Sequence, residues 1–280
     1  MESGYQMLDF GFGKRLEQWG PFRLIRPDPV AMGTPFHQDI WKSADAVYEG
    51  EKGKGEWKKM KDLPEHWPVT FDDLSLCVRL APYKHTGVFP EQQENWRWTR
   101  AHASRKLTIL NLFAYTGGAS MALAKDGHTV THVDSSKPAI GWAKENAVLN
   151  HLPSDAIRWI LDDAADFVRK EVKRGKIYDA IILDPPAFGH SPTGKTWRIE
   201  RDLPPLLEGC IKLLSPSPAF LILNSYSEQT RPEEHARLIS SLLTKRRPEL
   251  FCSLKAKELP LSASDGRLLS TGVVVRALFS

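Results

Sequence analysis

Apolar positions follow two different rhythms along the chain. Over residues 1–105 they come in short bursts between glycine and proline turns: Phe10-Gly11-Phe12-Gly13, Trp19-Gly20-Pro21 and Arg26-Pro27-Asp28-Pro29. Segments such as Phe22-Arg23-Leu24-Ile25 and Leu76-Cys77-Val78-Arg79-Leu80 read as strands, so this part is expected to be a small β-rich module. From Lys106 continuous apolar runs alternate with stretches of helical spacing. Strands are predicted over 107–113, 128–133, 157–161, 178–183 and 219–223, and helices over 118–126, 137–150, 164–174, 203–214 and 232–244. In the second of these helices Ile140, Ala143, Ala147 and Leu149 are expected to face inward. Continuous apolar strands alternating with helices imply a parallel sheet covered on both faces. The final runs, 250–257 and 271–279, have no helix between them and must therefore be antiparallel to each other. The expected architecture is α/β, with a module at 1–105 and a sheet domain at 106–280.

Composition narrows the class without naming a chemistry. The chain has 280 residues, 41% of them hydrophobic and 26% charged, which suits folded globular domains. A net charge of +4 permits an anionic partner but does not require one. No run approaches the roughly 20 apolar residues of a membrane helix, and the start Met1-Glu2-Ser3-Gly4 lacks a signal-peptide pattern. Three widely spaced cysteines, Cys77, Cys210 and Cys252, build neither a zinc site nor a disulfide framework. A reduced, cytoplasmic protein without a metal is expected.

In open α/β sheets ligands sit beyond the carboxyl ends of the strands, so the residues that follow each strand carry the functional signal. The first strand runs into Phe113-Ala114-Tyr115-Thr116-Gly117-Gly118, a glycine turn that allows close backbone approach but is not the G-x-G-x-x-G of dinucleotide folds. The second ends at Asp134-Ser135-Ser136, where Asp134 either accepts both hydroxyls of a ribose or caps the next helix; Ser135 or Ser136 could supply that cap and leave Asp134 free. The third ends at Asp162-Asp163-Ala164, with the same choice between an adenine amine and a helix cap. The fourth ends at Asp184-Pro185-Pro186-Ala187-Phe188. Proline carbonyls are free acceptors, Asp184 adds another, and Phe188 offers a ring, so the segment can grip a planar amino group or serve as a rigid turn.

At these residues the chain resembles the class I S-adenosylmethionine-dependent methyltransferases. Among them it is similar to bacterial large-subunit ribosomal RNA methyltransferases related to the cytosine-C5 enzymes. The resemblance rests on residues 111–118, on Ala143-Lys144-Glu145-Asn146 with Asn150, on 184–188, and on Lys84-His85-Thr86-Gly87-Val88-Phe89-Pro90-Glu91-Gln92. It implies a Rossmann-like seven-stranded sheet whose last strand is antiparallel. It also implies S-adenosyl-L-methionine as cofactor, its methionine end against residues 113–118, its ribose on Asp134 with Ser135, and its adenine near Asp163 and Ala164. Asp184 would stand by the methyl group and Gln92 would reach in from the linking segment.

Two departures shape the expected reaction. Relatives begin with a separate RNA-binding domain, whereas this chain opens in the β module, which leaves RNA capture to that module or to a partner. The C5 enzymes carry a cysteine in the loop after strand five, where this chain has Asn224-Ser225-Tyr226-Ser227-Glu228. Methylation at C5 requires a thiolate to add to the ring. RNA methylation at a nitrogen or a ribose oxygen is therefore expected, with Asp184, Pro185, Phe188 and Tyr226 at the reacting centre. Phe188 falls one residue beyond the usual aromatic of amino-methylating motifs. Lys195, Arg198, Arg201 and Arg267 are the expected phosphate contacts. The alternatives are a small-molecule or protein methyltransferase, an NAD-dependent oxidoreductase, and a catalytically silent binding module.

Overall fold

The structure, a computed structural model, describes residues 4–51, 54–190, 194, 196–226 and 231–280. Two compact units emerge. One comprises Met1–Gln93 with Pro260–Thr271, and the other Glu94–Leu259 with Gly272–Ser280. The division thus falls at residue 93 rather than 105.

The first unit contains β1 (Tyr5–Gly11), β2 (Lys14–Trp19), β3 (Phe22–Pro27), β4 (Ala46–Glu51) and β5 (Lys54–Lys59), which form one sheet in that order. Its pairings are antiparallel except β3 with β4. A separate hairpin joins β6 (His66–Phe71) to β7 (Leu74–Arg79). The Phe12-Gly13 turn has both residues at positive φ, 52° and 71°, which suits the right-handed twist of a tight hairpin. In β2 only Lys14 is exposed. The strand can bury Glu17 because Arg26 meets it twice, at 2.6 and 2.8 Å, and the Tyr5 hydroxyl donates at 2.9 Å.

The second unit runs α1 (Gln93–His102), β8 (Thr108–Leu112), α2 (Gly118–Lys125), β9 (Thr129–Asp134), α3 (Lys137–Leu149), β10 (Ile157–Leu161), α4 (Ala164–Lys173) and β11 (Ala180–Leu183). A short hairpin, β12 (Phe188–His190) with β13 (Thr196–Arg198), leads into α5 (Ile199–Lys212). Then come β14 (Phe220–Ser225), α6 (Pro232–Arg246), β15 (Cys252–Ser262) and β16 (Leu268–Phe279). The seven-stranded sheet has the order β10-β9-β8-β11-β14-β16-β15. Its first five strands are parallel and β16 is antiparallel to β14, as the resemblance implies for the last strand. Leu110, Leu112, Ile181, Leu183, Leu221 and Leu223 carry one face of the sheet onto α4, α5 and α6.

Three local readings change. α1 is a helix inside a stretch read as β-rich. α5 begins at Ile199, not 203: the carboxylate of Asp202 accepts the Arg198 N–H at 2.8 Å, and Ile199 joins Leu203 in the core. In α3 Ile140 and Ala143 are buried as expected, but Trp142 and Asn146 take the places read for Ala147 and Leu149.

Candidate active site

Strand order reverses between β8 and β11, and Leu112 pairs with Leu183 there. Phe113 and Asp184 therefore leave adjacent strand ends, and the Asp184 N–H donates to the Leu112 carbonyl at 3.3 Å. This is the topological switch point, where α/β sheets open a crevice.

The loop after β8 is tightly curled. Phe113 (φ 56°), Tyr115 (φ 49°) and Gly117 (φ 86°) all lie in the left-handed region. Non-glycine residues there cost on the order of 1–3 kcal/mol each and persist only where the surroundings enforce them. Three contacts do so. The Ala114 N–H donates to the Val133 carbonyl at 3.1 Å. The Tyr115 N–H donates to Asp134 Oδ2 at 2.8 Å. The buried Asn146 amide, from α3, donates to the Thr116 carbonyl at 2.9 Å. A Cβ on Gly117 would stand 2.9 Å from the Met121 methyl, and Gly118 packs against the indole of Trp96, where a Cβ has no room.

Asp134 does not cap α3. Ser136 does, its hydroxyl accepting the Ala139 N–H at 3.3 Å. Asp134 Oδ1 accepts from the Ser136 N–H at 2.8 Å, so the carboxylate bridges the β8 loop and the start of α3. Burial pushes its pKa up, against the pull of the N–H groups of Ser136, Tyr115 and Ser135. With about four acceptor sites on a carboxylate, three N–H groups leave one site open.

At the third strand end Asp163 is the cap of α4, its Oδ1 accepting the Asp166 N–H at 3.0 Å, and Ala164 is buried behind it. Asp162 is tied to Lys170 at 2.5 Å. At the fourth, Pro185 is buried and Pro186 exposed. The Pro186 carbonyl accepts from the Trp197 indole at 2.7 Å, and the Trp197 ring lies 5.2 Å from that of Phe113. Phe188 opens β12 with 53% of its surface exposed. Trp197 is thus an aromatic that packs against the turn. It was illegible in sequence because a three-residue strand shows no alternation.

A cavity of about 890 Å³ is lined mostly by residues of α4 and α5. Phe113, Ser135, Asp163 and Pro186, from four successive strand ends, also line it, whereas Asp134, Asp184 and residues 114–118 do not. The volume lies within the roughly 300–1,000 Å³ of small-ligand pockets.

The remaining expected residues lie as follows. Tyr226 follows β14 and lays its ring against Gly272, where a Cβ would meet it at 2.9 Å. The Arg201 guanidinium is drawn to Asp202 at 2.8 Å and to the Thr196 carbonyl, while Arg198 is exposed. Arg267 belongs to the first unit, held there by Asp9 and Asp265. Gln92 also belongs to the first unit, buried in a short 3-10 turn over Pro90–Gln92. Lys195 and the loop residues Ser227 and Glu228 lie outside the described residues. Among the described residues no cluster of His, Cys, Asp and Glu could hold a metal, and no helix is long and apolar enough to cross a membrane.

Residues 47–243 match the sequence profile of the S-adenosylmethionine-dependent methyltransferases. The chain belongs to that family. A crystal structure of the SAM-dependent methyltransferase from Agrobacterium tumefaciens is 38% identical with a TM-score of 0.92, covering 99% of this chain and 91% of that one. A Streptococcus mutans structure, 20% identical with a TM-score of 0.78 over 99% of this chain and 75% of that one, shares the fold. The "Ribosomal RNA large subunit methyltransferase K/L" of Shewanella sp. strain MR-4 is 32% identical over 207 residues, 70% of this chain. The chain spans only about a quarter, 27%, of that relative's length.

The strand ends suit the cofactor of that family. The curled β8 loop would offer backbone groups and Asp134 an acceptor for hydroxyls, and the Phe113–Trp197 ring pair forms an apolar surface at the turn after β11. When bound, the cofactor supplies a methyl group already activated by its sulfonium. The chain's own task is then to bind, orient and exclude water.

Proposed function

We propose that this methyltransferase acts on RNA, ribosomal RNA in particular, at a nitrogen or a ribose oxygen. The switch point between β8 and β11, where Phe113 and Asp184 leave adjacent strand ends, carries the reading of the site. In this reading Asp134 with Ser135 takes the ribose, Asp163 and Ala164 border the adenine, and residues 113–118 face the methionine end. Asp184 and Pro185 stand by the methyl group, and Phe188 and Tyr226 border the acceptor.

The choice of acceptor atom follows from the thiols. Cys210 is fully buried in α5, and burial pushes its thiol well up, so it offers no nucleophile. Cys77 lies on β7 in the first unit and Cys252 opens the edge strand β15. The loop after β14 has no cysteine. Addition of a thiolate to a pyrimidine ring therefore has no donor here. A nitrogen or oxygen acceptor needs only its lone pair aimed at the methyl carbon, and orientation of this kind is worth on the order of 7–11 kcal/mol.

The substrate class follows from the relatives named for large-subunit ribosomal RNA, with the first unit as the RNA-holding module. Of the proposed phosphate contacts, Arg201 lines the cavity and Arg198 follows Trp197, which also lines it.

The test is a map of modified nucleosides in large-subunit ribosomal RNA by mass spectrometry, from a deletion strain and from the same strain complemented with the wild type or with Asp184→Ala. Loss of one methyl mark, restored by the wild type alone, is the expected result. An unchanged map turns the reading to a small-molecule or protein acceptor. S-adenosylhomocysteine should raise the melting temperature and NAD should not, since only a ligand bound to the native state stabilises it.

A further inference from the structure

A buried chain of side-chain hydrogen bonds ends beside Asp184. Arg276, on β16, gives its Nε and Nη2 protons to the Asn95 Oδ1 at 3.0 and 2.6 Å. Asn95, on α1, gives its Nδ2 proton to Asn224 Oδ1 at 2.8 Å. Asn224 Nδ2 in turn faces the Leu183 carbonyl, 3.5 Å away at the end of β11. The three side chains are 7%, 3% and 1% exposed. Glu94 fixes the far end through Arg276 Nη2 at 2.8 Å, and the guanidinium lies 5.3 Å over the Trp98 ring.

The direction of this chain is forced. A guanidinium has five donors and no acceptor, so the atom of Asn95 that meets it must be oxygen. The Asn95 nitrogen is then the end that reaches Asn224, whose oxygen must turn toward it. What remains of Asn224, its NH₂, must point at β11. An isolated asparagine can present either end; here the choice is made two residues away. The target matters because Leu223 pairs with Leu183, so Asn224 and Asp184 are the next residues on neighbouring strands. Well-packed apolar residues would stabilise such a place about as well as buried polar ones, whereas a fully connected polar network specifies geometry.

We infer that Arg276, Asn95 and Asn224 are positioning residues, a one-way hydrogen-bond chain that holds the Asp184-Pro185 turn against the methyl-bearing end of the cofactor. The inference rests on the proposed placement of Asp184 by that methyl group. The decisive substitution is Asn95→Asp. The carboxylate keeps its bond to Arg276 but can no longer donate, so Asn224 must turn its NH₂ away from β11. Asn224→Ala removes the donor outright and serves where Asn95→Asp does not fold.

The measurement is calorimetric binding of S-adenosylmethionine and of S-adenosylhomocysteine, which differ only at the methyl-bearing sulfur. The wild type, Asn95→Asp, Asn224→Ala and Asp184→Asn are compared, with melting temperatures as the control. In folded Asn95→Asp the preference for the sulfonium over the thioether is expected to fall by about tenfold, with a parallel fall in Asn224→Ala and Asp184→Asn. Equal weakening of both ligands in Asn95→Asp marks a merely structural effect and overturns the inference. So does an unchanged preference in Asn95→Asp and Asn224→Ala when Asp184→Asn alone changes it. No change in any variant, Asp184→Asn included, overturns the placement of Asp184 itself.

Discussion

At the scale of single residues, the site is held by acceptors and donors whose second partners are structural. Asp134 is the example. Its carboxylate serves three backbone N–H groups before any ligand arrives. Asp134→Asn replaces one acceptor with a donor that faces an N–H. It is expected to weaken S-adenosylhomocysteine at least about tenfold, with a loss of stability on the order of 1–3 kcal/mol, read by calorimetry and urea denaturation. Gly117 carries the other constraint. At φ 86° and with Met121 at 2.9 Å from a built Cβ, Gly117→Ala should cost about 1–3 kcal/mol and weaken the same ligand. Asp134 was legible in the sequence as an acid after a strand, and Gly117 as half of a glycine turn. Their shared work, curling the β8 loop, was not, because it depends on which N–H groups the fold brings to the carboxylate.

At the scale of elements, β2 and β3 show how a charge is kept inside a sheet. Burial alone would push the Glu17 carboxyl up. The guanidiniums of Arg15 and Arg26, with hydrogen bonds from Arg26 and Tyr5, outweigh burial and hold it at about 2. A carboxylate whose folded pKa lies below its ordinary value stabilises the fold above the ordinary value, and that contribution is lost as pH falls through the folded one. The first unit is therefore expected to lose stability between about pH 4.5 and pH 2. Emission from Trp19, whose indole donates to Glu17 at 3.3 Å, would follow it. Glu17→Gln should flatten that pH dependence and cost about 3–5 kcal/mol, because Arg26 stays buried without a counter-charge. The alternation of the parallel strands and helices was plain in the sequence. α1 was not, since a ten-residue helix rich in tryptophan and charge gives only a weak apolar stripe.

At the scale of the whole molecule, net charge and its placement govern the partner. With a net charge of +4, attraction to RNA depends on a few local cations rather than on a global field. Affinity for ribosomal RNA should fall linearly on a log–log plot against salt. Arg198→Ala with Arg201→Ala should reduce the slope by about 1–2, as two phosphate contacts are lost; filter binding across a salt series reads it. A slope unchanged by the double substitution would move the contact surface elsewhere.

The cofactor class came from the resemblance of short motifs to a known family, while the sequence by itself determined the parallel sheet and its antiparallel close. The sheet and its close follow from periodicity and from residues adjacent along the chain, which local physics encodes. Only the tertiary structure decided that Trp197 lies against Phe113, that Ser136 rather than Ser135 caps α3, and that Arg276 and Asn95 orient Asn224. Those outcomes join residues as many as 181 positions apart, and hydrogen-bond direction across such distances exists only once the elements are packed.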